Sequence, residues 1–133
     1  MNTFQATIAA IDTHEHLSVV HFNVFAQTLS MISLGLGDDV KVGSDVILVI
    51  NPTQLILAKE SSSAALSITN QIKATIRSCE NGILLSSVKL LAGDIEFESI
   101  ITRESANEMA LKEQDTITVL IQASELSISK VLS

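Results

Sequence analysis

The stretch Gln71-Ile72-Lys73-Ala74-Thr75-Ile76-Arg77 decides the fold class, because polar and apolar residues alternate along its whole length. A period of two residues places one face of a β-strand on a core and the other face outward. The same alternation recurs in residues 20–24, 117–121 and 126–129. Val, Ile and Thr dominate these segments, and these residues favour strands. The chain is therefore predicted to be mainly β.

One segment, residues 102–111, departs from this alternation. Ala106, Met109 and Ala110 follow one another at helical spacing. Thr102 is a good N-cap, and Glu104 falls in the first turn, where a carboxylate interacts favourably with the helix dipole. The sequence predicts one short helix here.

Comparison of the chain with itself indicates an internal repeat. At an offset of 68 residues, Ala6-Thr7-Ile8 matches Ala74-Thr75-Ile76. At an offset of 71 residues, Leu55 matches Leu126 and Ile50 matches Ile121. The register changes once, by three residues, which predicts a tandem repeat of residues 1–60 and 66–133 joined by the polar segment 59–63.

Each half is predicted to hold about five short strands, which is the strand count of a small OB-like barrel. The predicted fold is two tandem OB-like five-stranded barrels with one short helix in the second. A barrel of this size is marginal alone, and residues 46–50 are apolar on both faces, so further burial between halves and between chains is expected. The alternative is a single ten-strand sandwich.

Composition excludes several classes of function. The chain has 8 Lys and Arg against 15 Asp and Glu, a net charge of −7, and 3% aromatic residues. A reader of nucleic acid needs a basic surface or an aromatic platform for stacking, and this chain is acidic and has no Trp or Tyr. No apolar run approaches the roughly 20 residues of a membrane helix, and the first residues do not resemble a signal peptide. The single cysteine, Cys79, fits a reducing cytoplasm.

Three stretches of the second half resemble the Mop or TOBE domain family. Residues 67–74 are similar to the family's S-A-R-N-Q-L-x-G opening, and residues 100–105 to its I-I-T-x-E-S segment. Residues 111–115 followed by 120–124 resemble L-K-x-G-D followed by L-I-K-A-S. The first half follows this pattern loosely, so the chain looks like a double Mop module.

The resemblance implies a cytoplasmic protein that binds the oxyanion molybdate or tungstate as carrier, buffer or store, and not an enzyme. Double modules of the family assemble as trimers when free and as dimers in molybdate-responsive regulators, with ligand sites between subunits. A homo-oligomer is therefore expected, with a trimer favoured over a dimer. The resemblance further implies that Thr102 and Ser105 contact the oxyanion. Judged from the residues alone, Thr102 caps the helix and Ser105 reaches back to it, and capping and binding can coexist.

The family's opening motif implies further donors at Ser67, Thr69 and Asn70, and its I-K-A-S turn implies a contribution from Gln122 and Ala123. Two of these positions differ from the family. Thr69 stands at the family's Arg and Gln122 at its Lys, so both cations are missing. A charge-assisted hydrogen bond is about twice as strong as a neutral one, so weaker binding is expected.

Other sequence features give two more hypotheses. Leu85 and Leu17 occupy the place of a family Asn, and Asn51 that of the Lys in the first half. These differences favour, as the alternative function, a degenerate assembly or regulatory module that has lost its oxyanion. A detached sensor half of a regulator is a third possibility. His14 and His16 are interpreted as a solvated turn, and His21 as an exposed strand residue.

Overall fold

The computed structural model describes residues 1–25, 27–59 and 66–133. Most of the segment predicted to join the halves, residues 60–63, lies outside the described residues. The strands are β1 (Asn2–His14), β2 (Leu17–Val24), β3 (Gln27–Leu34), β4 (Asp45–Ile50), β5 (Ile56–Ala58), β6 (Asn70–Asn81), β7 (Leu85–Ala92), β8 (Ile95–Thr102), β9 (Thr116–Ile121) and β10 (Ser127–Val131). The predicted helix is α1 (Arg103–Met109), and a 3₁₀ turn spans Pro52–Gln54.

The strands form two five-stranded sheets, with orders β10-β4-β1-β2-β3 and β5-β9-β6-β7-β8. They lie in two compact units. Unit I contains Thr3–Ile50 and Gln122–Ser133, and unit II contains Met1–Asn2 and Asn51–Ile121. The prediction of two OB-like five-stranded modules with one helix in the second is confirmed, and the single ten-strand sandwich is wrong.

The alternation predicted for the strands is present in their burial. In β6, Ile72, Ala74 and Ile76 are buried, whereas Lys73 and Arg77 are exposed. Leu48 and its neighbours of β4 are buried on one face and half-buried on the other. One face of each sheet therefore forms the core of its unit, as a two-residue period requires.

The internal repeat is visible in equivalent backbone hydrogen bonds. The Ile8 N–H donates to the Ser44 carbonyl at 2.9 Å, and the Ile76 N–H donates to the Asp115 carbonyl at 2.9 Å. Both strands carry an irregularity just after these residues, between Ile8 and Ala10 and between Ile76 and Ser78. The first members of these pairs are 68 residues apart and the acceptors 71, so the two units repeat one design.

The compact units differ from the contiguous segments 1–60 and 66–133, because the last strand of each half belongs to the other unit. β5 pairs with β9 in unit II, and β10 pairs with β4 in unit I. A turn at residues 51–54 leads the chain from β4 to β5, and an equivalent turn at 122–125 leads it from β9 to β10. The two-residue period at 126–129 predicts β10, but a local pattern carries no information about which sheet edge a strand joins.

No helix among the described residues is long and apolar enough to cross a membrane.

Candidate functional site

The start of α1 holds the two hydroxyls that the sequence places first among the oxyanion ligands. Thr102 ends β8 in an extended conformation and caps the helix, because its Oγ1 accepts a hydrogen bond from the Ser105 N–H at 3.1 Å. The same Oγ1 donates to Ser105 Oγ at 2.9 Å. Both residues are exposed. The Ser105 hydroxyl thus accepts from Thr102 and keeps its own proton for an outside acceptor.

Part of the donor capacity of this helix start is already used. The Arg103 N–H, one of the first amides of α1, donates to the Leu84 carbonyl at 2.9 Å. The Arg103 guanidinium donates to the Gly82 carbonyl at 3.4 Å. Two bonds therefore fix the turn between β6 and β7 to Arg103, the residue that follows Thr102.

That turn presents apolar side chains to solvent. Ile83 is 89% exposed, Leu84 79% and Leu85 54%. Leu85 is the register partner of Thr102 across β7 and β8. We call residues 83–85 the apolar tip. Its position next to Thr102 means that a protein surface docking on the tip would also cover the two hydroxyls.

The other predicted ligands lie at the opposite end of β6. Ser67 and Thr69 are exposed residues just before this strand. The start of β7 lies near Thr102, and β6 reaches it only at its last residue, since Asn81 pairs with Ser86. β6 has 12 residues, from Asn70 to Asn81, so Ser67 and Thr69 are not neighbours of Thr102 and Ser105 in the register of this sheet.

Asn70 is buried, with 1% of its surface exposed, which sets it apart from the neighbouring Thr69. Its counterpart in the repeat, Asn2, is also buried. The amide nitrogen and the amide oxygen of Asn2 both form hydrogen bonds with the backbone of one residue, Glu98. Asn2 Nδ2 donates to the Glu98 carbonyl at 2.8 Å, and the Glu98 N–H donates to Asn2 Oδ1 at 2.7 Å. Asn2 thus holds backbone through its amide, and Asn70 is buried at the equivalent position.

Gln122 and Ala123 are assigned to unit I, and Gln122 directly follows Ile121, the register partner of Asn70 in unit II. The Ala123 carbonyl accepts from the Ile32 N–H of β3 at 2.9 Å. The equivalent turn in unit II begins at Asn51, whose Oδ1 accepts from the Thr53 N–H at 3.1 Å and from Thr53 Oγ1 at 2.9 Å. Asn51 is therefore the residue at the family's Lys position in the unit that contains α1. The spacing along the sequence assigns Gln122 to the same half as Thr102, whereas the exchange of strands assigns Asn51 to the unit that contains Thr102.

The turn that begins at Asn51 is fixed to β8. Ser99 Oγ donates to the Leu55 carbonyl at 3.0 Å, and Leu55 itself is 2% exposed. Ser99 lies three residues before Thr102 on the same strand. This contact places the exposed Asn51 turn beside the strand that ends at the candidate hydroxyls.

The histidines and the cysteine lie elsewhere. His14 ends β1 and His16 lies in the exposed turn that follows, and within the described ranges no group of three His, Cys, Asp or Glu is arranged to hold a metal ion. His21 is half-buried, contrary to expectation, because its ring bonds Ser30 Oγ at 2.9 Å and Asp12 Oδ2 at 3.2 Å. Burial raises the pKa of the Cys79 thiol above its usual value.

Comparison with known proteins supports the family resemblance of the second half of the chain. Residues 66–128 match the model of the TOBE domain family, and the resemblance is confirmed there. No curated protein matches the chain.

Solved structures similar to the chain include two molybdate-binding proteins. The crystal structure of the cytoplasmic molybdate-binding protein ModG, in a form with molybdate bound, superposes with a TM-score of 0.88 at 23% identity, covering 96% of this chain and 94% of ModG. A molybdate-binding protein from Sporomusa ovata matches with a TM-score of 0.49 at 24% identity, over 50% of this chain and 100% of the other. The likeness to ModG shows that the whole chain has a two-module Mop-like fold.

Proposed function

We propose that this protein binds a tetrahedral oxyanion, molybdate or tungstate, and serves in the cytoplasm as a carrier, buffer or store rather than as an enzyme. The observation that carries the proposal is the exposed Thr102–Ser105 pair at the capped start of α1, in the half of the chain that matches the TOBE domain family. ModG, which has the same overall fold, is a cytoplasmic protein with molybdate bound, and this supports the choice of ligand.

The chemistry of the pair suits a tetrahedral dianion. Such an anion needs several convergent N–H and O–H donors, and a helix start provides hydroxyls together with the positive end of the dipole. The Ser105 hydroxyl has a proton to give, and Arg103 adds a positive charge nearby. Neutral donors bind an anion less strongly than charged ones, so we expect weaker binding than a site with the family's Arg and Lys would give.

In this proposal the remaining donors come from a second copy of the chain. Ser67 and Thr69 precede β6, and the last residues of that strand are the ones that reach the start of β7 beside Thr102. We propose a homo-oligomer in which the start of β6 from one subunit meets the start of α1 from another. We favour a trimer, with a dimer as the alternative.

The proposal is tested by isothermal titration of the purified protein with molybdate, tungstate and sulfate. We expect heat and thermal stabilisation with molybdate and tungstate. In Ser105→Ala the affinity should fall about tenfold or more, the usual effect of losing one hydrogen bond to a charged group. Ser129→Ala is the matched control, because it removes an exposed hydroxyl from β10 in unit I. The absence of heat and stabilisation with both metal oxyanions at millimolar concentration would refute binding.

A second candidate, an assembly module that has lost its oxyanion, is favoured by the apolar tip. Ile83, Leu84 and Leu85 are largely exposed beside Thr102, where they offer apolar surface and no side-chain donor. If assembly is the only function, protein purified without added metal will contain neither Mo nor W by plasma mass spectrometry. Tight, stoichiometric molybdate on that protein would rule this candidate out.

A further inference from the structure

The two units repeat one design, but their candidate sites differ in chemistry. We infer that the oxyanion binds through unit II alone and that the equivalent place in unit I has lost this ability. The inference rests on the proposed function and specifies which of two related places performs it.

The backbone establishes which residues are equivalent. The Gly35 N–H donates to the His16 carbonyl at 3.1 Å, just as the Arg103 N–H donates to the Leu84 carbonyl. The register agrees with this match, because Leu17 pairs with Leu34 as Leu85 pairs with Thr102. Leu34 is therefore the counterpart of Thr102, and Gly35 that of Arg103.

The residues at these equivalent positions of unit I lack the hydrogen-bond donors of unit II. Leu34 is 79% exposed and offers no hydroxyl to cap a helix or to bind an anion. Gly35 has a φ of +78°, a left-handed conformation that ends the strand without starting a helix. The residue two positions further along, where unit II has Ser105, is Gly37, which has no side chain.

The missing helix is accounted for by chain length. From Gly35 to Ser44 the chain advances nine residues, and from Arg103 to Asp115, the equivalent end point, it advances twelve. The three residues lost are close to the 3.6 residues of one helical turn. Unit I therefore crosses the same gap with a loop, and the positive end of a helix dipole is lost together with the hydroxyls.

The charge at this place also differs. Unit I has a cavity of about 410 Å³ here, whose lining includes Glu15 and Asp38. In unit II the counterpart of Glu15 is the uncharged Ile83, and the start of α1 carries one cation, Arg103, and one anion, Glu104. Two carboxylates at a cavity repel a dianion, whereas opposite charges next to each other largely cancel. Both the donors and the field in unit I therefore oppose oxyanion binding.

Equilibrium dialysis of the intact protein against molybdate, with Mo counted per chain, tests this inference. We expect saturation at no more than one Mo per chain. Ser105→Ala should raise the Kd about tenfold or more, and it keeps the helix cap because the Ser105 N–H still donates to Thr102. Leu34→Ala, the matched change in unit I, should leave both the count and the Kd unchanged.

The outcomes separate the two proposals. More than one Mo per chain, a lower count in Leu34→Ala, or full affinity in Ser105→Ala would overturn the restriction to unit II while oxyanion binding stands. If the unchanged protein binds no molybdate at all, the proposed function fails and the restriction fails with it.

Discussion

At the scale of single residues, the buried amide of Asn2 shows how a polar side chain contributes to stability here. Its two hydrogen bonds to the backbone of Glu98 satisfy a donor and an acceptor of β8. We expect Asn2→Ala to lower the free energy of unfolding by about 1–3 kcal/mol, because it leaves these buried groups without partners. Urea unfolding measures the loss. Thr3→Ala, at the exposed neighbouring residue, is the control, and equal effects of the two changes would contradict this role.

The Cys79 thiol gives a second prediction at this scale. Burial disfavours the thiolate and so raises the pKa of Cys79. Since the thiolate is the reactive form, the protein should react more slowly than free cysteine with an aromatic disulfide reagent at pH 8. The rate should continue to rise with pH beyond the point where free cysteine levels off. A rate equal to that of free cysteine at pH 8 would show that burial does not control this thiol.

Residue identity alone predicted the candidate site in part. Thr102 and Ser105 could be chosen because their spacing is both a helix cap and a family motif, and the structure bonds them to each other. Asn70 could not be judged in the same way, because an asparagine in a motif can bind a ligand or hold backbone. The double hydrogen bond of Asn2, its counterpart, favours the second role and depends on a strand distant in sequence.

At the scale of elements, α1 is short enough that its cap controls its stability. The helix has seven residues, and an isolated helix of this length is marginal in water. Thr102→Ala removes the acceptor of the Ser105 N–H, so we expect a loss of about 0.5–2 kcal/mol in unfolding free energy. Thr102→Ser retains an acceptor and should recover most of this stability. Equal melting temperatures for the two variants would show that the cap has no role.

Strands and helix were predictable from local pattern because each depends on its own residues. A two-residue period specifies which face of β6 is buried, and a cap with helical spacing specifies α1. The placement of β5 and β10 was not predictable in this way. Leu55 and Leu126 are equivalent residues, each 2% exposed, and either one has the right size for either core. Local sequence therefore cannot decide which unit each strand completes.

At the scale of the whole molecule, the exchange of β5 and β10 between the two halves makes each unit depend on both halves of the chain. Unit II needs β5 and the buried Leu55 from the first half, and unit I needs β10 from the second. Burying one leucine contributes about 1.5–3 kcal/mol, a large share of the stability available to so small a unit. We therefore expect that neither half of the chain, taken alone as a monomer, is stable, because the strand that completes its unit comes from the other half.

The fragment 66–133 tests this dependence, and the repeat predicts what it will do. The turn at 122–125 has the same backbone hydrogen bond as the turn at 51–54, so it should again lead β10 away from its own unit. In a pair of fragments, β10 of each can occupy the place of β5 in the other, with Leu126 filling the position of Leu55. We expect a dimer by native mass spectrometry with cooperative urea unfolding that depends on protein concentration.

Leu126→Ala should abolish that dimer, whereas the surface change Lys130→Ala should not. A monomeric fragment that unfolds cooperatively would mean that β10 can fold back into its own unit, and the exchange would then be a property of the intact chain rather than of the turn.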